Sequence, residues 1–176
     1  MCIRDSLDVG QGDGIYLCTG GGTSMFIDGG STDVKQVGKY RILPFLKAKG
    51  VSEISYWFVS HTDTDHVSGL KEVLVSGYRV EYLVFAKAVE KEAKTKELAE
   101  LARSHGTKVL YMQAGDTVRS KRAAMRCLYP KAADKAEDVN DLCLVLQFEE
   151  GDISALFGLS LIHISEPTRL DISYAV

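Results

Sequence analysis

Apolar residues recur with a period of two through residues 7–28, and the period then lengthens to that of a helix. Leu7 and Val9 flank Asp8 in a short strand pattern that enters a Gly-rich turn at residues 10–13. Two further strands are predicted at 15–18 and 24–28, separated by Gly20, Gly21 and Gly22 and closed by Gly29 and Gly30. This is a meander of hairpins. Val37, Ile42, Phe45 and Leu46 then give a helical face, within which Pro44 marks the start of a separate helix and Gly50 the end. Residues 54–59 are almost continuously apolar, as in a strand covered on both faces. Leu70, Val73 and Leu74 place a helix over 68–76. Strand, helix and strand follow at 80–85, 90–105 and 108–111. His105, just before Gly106, reads as a favourably placed helix C-terminal residue, and the charges of 90–100 as a solvated face. Three late strands are expected at 123–129, 142–148 and 153–157. Hairpins mixed with β-α-β units predict an α/β (α+β) chain folded as an αββα sandwich, two sheets with helices outside.

Composition adds limits rather than identity. The 176 residues suit one domain, and 45% hydrophobic with 26% charged residues is the balance of a soluble globular protein. A net charge of −3 provides no global basic surface. No apolar run reaches the roughly 20 residues that span a bilayer, so the fragment as read is soluble and makes no membrane contact of its own. Cys2, Cys18, Cys127 and Cys143 show no CxxC spacing, and the last three lie in strand-like runs as small buried hydrophobes. The two ends read differently. Residues 1–6 and 159–176 resemble translated sequencing adapters, which would make 7–158 the natural part, an incomplete domain cut at both ends. His163 and Cys2 carry no meaning on that reading.

The chemistry is concentrated between 61 and 66. His61, Asp63, Asp65 and His66 put two imidazoles and two carboxylates directly after a buried strand, where α/β proteins place reactive groups. A short loop of alternating ligands is expected to aim His61 and Asp63 one way and Asp65 and His66 another, which suits two adjacent metal ions. Zn²⁺ takes mixed nitrogen and oxygen ligands, and a carboxylate-rich set also suits Mn²⁺. Taken singly, either aspartate is a turn or N-cap residue and His61 a structural histidine. The four together are read as a metal site.

The chain resembles the metallo-β-lactamase superfamily, whose signature is His-x-His-x-Asp-His. Asp63 in the second position resembles the branch found in the soluble hydrolase domain of ComEC-type competence proteins. The opening residues 7–13, the strand end 26–30, the core motif 59–69 and the late strand 140–146 all resemble that branch, and the likeness runs through nearly all of 7–158. The resemblance implies that His61 and Asp63 bind one metal and Asp65 and His66 a second, with Asp65 also acting as base on a bridging water. It implies a supporting role for Asp28, which reads equally as a strand-end turn residue before Gly29. Asp13 lies in a tight turn able to approach the site. Asn140 occupies the region where many relatives carry a third histidine, and a strand-edge turn explains it as well.

The departures set the expected limits. The bridging Asp that the family places after a strand like 153–158, and its final His, have no counterpart here, so the chain is expected to bind metal poorly and to be weakly active or inactive. The resemblance implies a phosphodiesterase or nuclease acting on DNA during competence-related uptake, from a membrane-embedded parent in a bacterial cell. The alternatives are hydrolysis of small esters, thioesters or lactams, and a non-catalytic binding domain. Arg119, Lys121, Arg122 and Arg126 offer a local basic group for a DNA backbone, or an ordinary solvated loop and strand edge.

Overall fold

The structure is a computed structural model that describes residues 3–136 and 139–158. It contains two sheets. The first has six strands in the order β1 (Ile3–Ser6), β2 (Gly14–Cys18), β3 (Ser24–Asp28), β4 (Glu53–Phe58), β5 (Arg79–Ala86) and β6 (Lys108–Met112). The β1–β2 and β2–β3 pairs are antiparallel, whereas β3 to β6 run parallel. The second sheet is antiparallel: β7 (Thr117–Arg119), β8 (Ala123–Tyr129), β9 (Val145–Glu150) and β10 (Ile153–Phe157), in the order β10-β9-β8-β7.

Three α-helices lie among these strands: α1 (Leu43–Ala48), α2 (Thr64–Val75) and α3 (Ala93–Ser104). A π-helical turn, Gly38–Ile42, runs into α1, with Pro44 in the first turn of α1, where its missing N–H costs nothing. The parallel strands need crossovers, and α2 and α3 supply those of β4–β5 and β5–β6. Leu70, Val73 and Leu74 of α2 and Leu98 and Ala102 of α3 pack on Phe26, Trp57, Leu83 and Phe85. The opposite face of the first sheet, Met25, Ile27, Phe58 and Val84, meets Met125, Cys127, Leu146 and Phe148 of the second. Alternate residues of β3 and β5 therefore feed two cores, which explains their nearly unbroken apolar runs.

The architecture is mixed α/β with two stacked sheets, as the sequence predicts. Among the described residues the helices cover only the first sheet. On the outer face of the second, Leu128 and Leu156 remain 42% and 45% exposed. The opening strand lies earlier than expected, at Ile3–Ser6 rather than 7–9. The reason is local: beyond Leu7 the chain turns toward residues 32 and 33, with the Gln11 N–H donating to Asp33 Oδ1 and the Thr32 N–H to the Gln11 carbonyl. The strand thus runs through part of the adapter-like opening; the adapter-like segment 159–176 lies outside the described residues. Cys127 and Cys143 are buried and Cys18 half-buried. His105 caps α3, its Nδ1 2.9 Å from the Leu101 carbonyl. No helix among the described residues is long and apolar enough to cross a membrane.

Candidate metal centre

The parallel register pairs Ile27 with Phe58, so the ends of β3 and β4 fall at the same edge of the sheet. Asp28 closes β3 with a left-handed φ of 56°, a conformation aspartate tolerates better than most side chains. It is fully buried. The Trp57 indole donates from Nε1 to the Asp28 carbonyl at 2.6 Å. The Asp28 carboxylate accepts from the Ser60 N–H (Oδ1, 2.8 Å) and from the Ser60 hydroxyl (Oδ2, 2.8 Å). His66 Nδ1 lies 3.1 Å from the same Oδ2.

Asp65 and His66 are helical, not loop, residues. Asp63 is the extended N-cap of α2, and its carbonyl accepts from the N–H groups of His66 and Val67. The imidazoles of His61 and His66 face each other at 3.8 Å between centroids, tilted by 48°. Ligand atoms of His61, Asp65 and His66 all lie within 4.8 Å of one another, a mixed nitrogen and oxygen set that suits a divalent ion such as Zn²⁺ or Mn²⁺. The expected division into two oppositely aimed pairs is not how these side chains lie, because the helical turn brings His66 back over His61. Asp63 stands at the margin: its Oδ2 is 3.9 Å from His61 Nε2, while its Oδ1 accepts from Lys94 Nζ at 2.9 Å.

Two glycines allow this packing. A β-carbon on Gly30 would lie 2.4 Å from both the Asp65 carbonyl carbon and the His66 nitrogen. One on Gly12 would lie 2.3 Å from the Gly30 oxygen and 2.6 Å from that of Asp65. The turn at 10–13, the end of β3 and the first turn of α2 are therefore in backbone contact. That contact carries Asp13 to the site, with Oδ2 4.0 Å from His66 Nδ1.

Charges and burial set the protonation. Burial, then the neighbouring His66, push the His61 pKa below the ordinary histidine value. Burial would also depress His66, but the hydrogen bond and charge of Asp28, joined by Asp65 and Asp13, outweigh it and hold His66 above that value. Burial raises Asp13, against the pull of His66. The Lys94 ammonium is stabilised by its hydrogen bond to Asp63 and by that carboxylate's charge.

Of the residues read from the sequence, the structure brings together His61, Asp65, His66, Asp28 and Asp13, with Asp63 alongside. Asn140 falls in a 3-10 turn, Val139–Leu142, and its side chain lies outside the described residues. Lys121 of the basic group is remote: a β-carbon built on Gly21 would meet its Cβ at 3.6 Å, near the end of β3 opposite Asp28. Sequence reasoning missed Ser60, Trp57 and Lys94 as neighbours of the site. Ser60 is a polar residue closing an apolar run, which is a weak signal. The partners of Trp57 and Lys94 follow from register and helix placement.

These two layered sheets with a histidine–aspartate cluster at the strand ends define a metallo-β-lactamase fold. Zn²⁺-bound PqqB from Methylobacterium extorquens superposes with a TM-score of 0.61 at 14% identity, over 89% of this chain and 55% of that one. The metallo-β-lactamase fold protein YhfI from Bacillus subtilis does so at 0.56 and 14%, over 83% and 54%. CmlA, a diiron β-hydroxylase from Streptomyces venezuelae, does so at 0.54 and 16%, over 88% and 29%. In sequence the chain is similar to ComE operon protein 3 of Bacillus subtilis, 29% identical over 163 residues. That match takes in 85% of this chain but 21% of the relative, so the chain spans about a fifth of its length. No family model matches.

Proposed function

We propose that the chain is the catalytic part of a metal-dependent phosphodiesterase or nuclease that cleaves DNA during competence-related uptake. The observation that carries this reading is the convergence of His61, Asp65 and His66 at the edge of the parallel strands, supported on a buried carboxylate. His61, Asp65 and His66 would hold one divalent ion, Zn²⁺ or Mn²⁺, and Asp63 beside them would be the nearest further carboxylate for a second. Bound there, the ions supply Lewis-acid polarisation of a phosphoryl oxygen and a more acidic water. Asp65, about a third exposed, faces the same point and accepts the proton of the attacking water at a carboxylate oxygen.

A cleft of about 240 Å³ beside the metal loop is lined by Thr62, Thr64, Ser68, Lys71, Lys94 and Glu97, with Lys71 paired to Glu97 at 3.6 Å and Lys94 to Asp63 at 2.9 Å, a polar setting that supports a phosphodiester substrate. The similarity to ComE operon protein 3 supports the competence setting, and the parent protein is then membrane-embedded.

The test is DNA cleavage by the reading frame extended from its source locus, with Mn²⁺ or Zn²⁺ and His66→Ala as control. Metal-dependent cleavage that disappears in His66→Ala is expected. Ester or lactam turnover without DNA cleavage would replace this reading with a small-molecule hydrolase. DNA binding without any turnover would leave a non-catalytic domain.

A further inference from the structure

We infer that Ser60 is a positioning residue that fixes His61 in its Nδ1–H tautomer and so turns the Nε2 lone pair toward the metal. The Ser60 hydroxyl is buried and has two neighbours, Asp28 Oδ2 at 2.8 Å and His61 Nδ1 at 3.1 Å. It has one proton, and that proton is donated to Asp28. The contact with His61 is satisfied only if the imidazole donates, so Nδ1 carries the hydrogen and Nε2 is left with its lone pair. Nε2 is also the atom that faces Asp63, at 3.9 Å.

The same carboxylate governs the other ring. His66 Nδ1 lies 3.1 Å from Asp28 Oδ2, and its Nε2 faces Asp65 at 3.4 Å. Asp28 thus orients His66 directly and His61 through one hydroxyl, and both rings present the same nitrogen. The Ser60 N–H holds Asp28 Oδ1, and the Ser60 carbonyl accepts from the Leu144 N–H at 3.2 Å. The hydroxyl is therefore anchored by its own main chain on both sides. Outer partners of this kind set ligand basicity and orientation, and their loss typically weakens metal binding about 10–100-fold.

This inference rests on His61 being a metal ligand, as proposed above, but its test needs neither DNA nor turnover. Long-range ¹H–¹⁵N spectra of the labelled, metal-free chain report the tautomer of each neutral imidazole. The wild type is expected to show His61 with Nδ1 protonated. Ser60→Ala should populate the Nε2–H form and weaken Co²⁺ binding about 10–100-fold, and Ser60→Thr, which keeps the hydroxyl, should restore both. An Nε2–H tautomer for His61 in the wild type overturns the inference without any variant having to fold. Unchanged Co²⁺ affinity in folded Ser60→Ala overturns it too. Absence of DNA cleavage with the expected tautomer would remove the substrate reading alone.

Discussion

Asp28 and His66 are 38 residues apart in sequence, yet Oδ2 of the first lies 3.1 Å from Nδ1 of the second. This contact sets the charge of the site. Replacing Asp28 by Asn removes the main influence holding the His66 pKa up, while the burial that depresses it stays. The His66 pKa is therefore expected to fall from its raised position, against the remaining pull of Asp65 and Asp13, as read by NMR titration of the imidazole. His66 is raised in the folded state, so its stabilising contribution is present below the unfolded pKa and lost as pH rises through the folded one. Asp28→Asn should accordingly lose more stability at acidic than at alkaline pH, measured by urea unfolding against the wild type.

Metal binding should show the same sign. A divalent ion must displace the proton on His66 Nε2, because Nδ1 is held by Asp28. Affinity should decline as pH falls through a midpoint above 6.5, the ordinary histidine value. Calorimetric titration with Zn²⁺ across pH checks this; a midpoint below the ordinary value would contradict the geometry around His66.

Gly30→Ala should disturb the site from its backbone. The added carbon meets main-chain atoms of Asp65 and His66 at 2.4 Å, and main chain cannot swing aside like a flexible side chain. A loss of about 1–3 kcal/mol is expected, with weakened metal uptake. Gly77→Ala is the comparison: Gly77 has a positive φ of 78°, which Gly30 does not, but nothing lies within 4 Å of the new carbon. It should cost stability while leaving metal affinity intact, as followed by thermal unfolding and Co²⁺ absorbance.

Lys94→Met should strengthen divalent binding. The ammonium holds Asp63 Oδ1 at 2.9 Å and repels a cation approaching the same carboxylate. The gain should appear at low ionic strength and shrink in high salt, because Lys94 is largely exposed. An affinity insensitive to both the substitution and salt would show that Asp63 plays no part in binding. The same variant should bind DNA less well if the adjoining cleft accepts a phosphate backbone.

Periodicity reveals most of the fold, because buried strands and amphipathic helices must repeat at two and 3.6 residues. It fails where polar residues occupy regular structure. The first turn of α2, Thr64 to Val67, is almost wholly polar and looks like loop, though the Asp63 carbonyl already accepts its first bonds. The three-residue β7 is too short to show a period. The histidines and aspartates of 61–66 announce themselves by type. Ser60, Trp57 and Gly30 do not, because their roles follow from the pairing of β3 with β4, a relation between distant segments.

The backbone contact among Gly12, Gly30 and the first turn of α2 also bears on how relatives diverge. Three short strings, at 10–13, 28–30 and 60–66, form one physical object, while the chain between them only has to return. Insertions and deletions among homologues should therefore collect in those intervals, and the strings themselves should stay in phase. A search pattern that fixes the three strings and frees their spacing would reach distant members that whole-length alignment leaves behind.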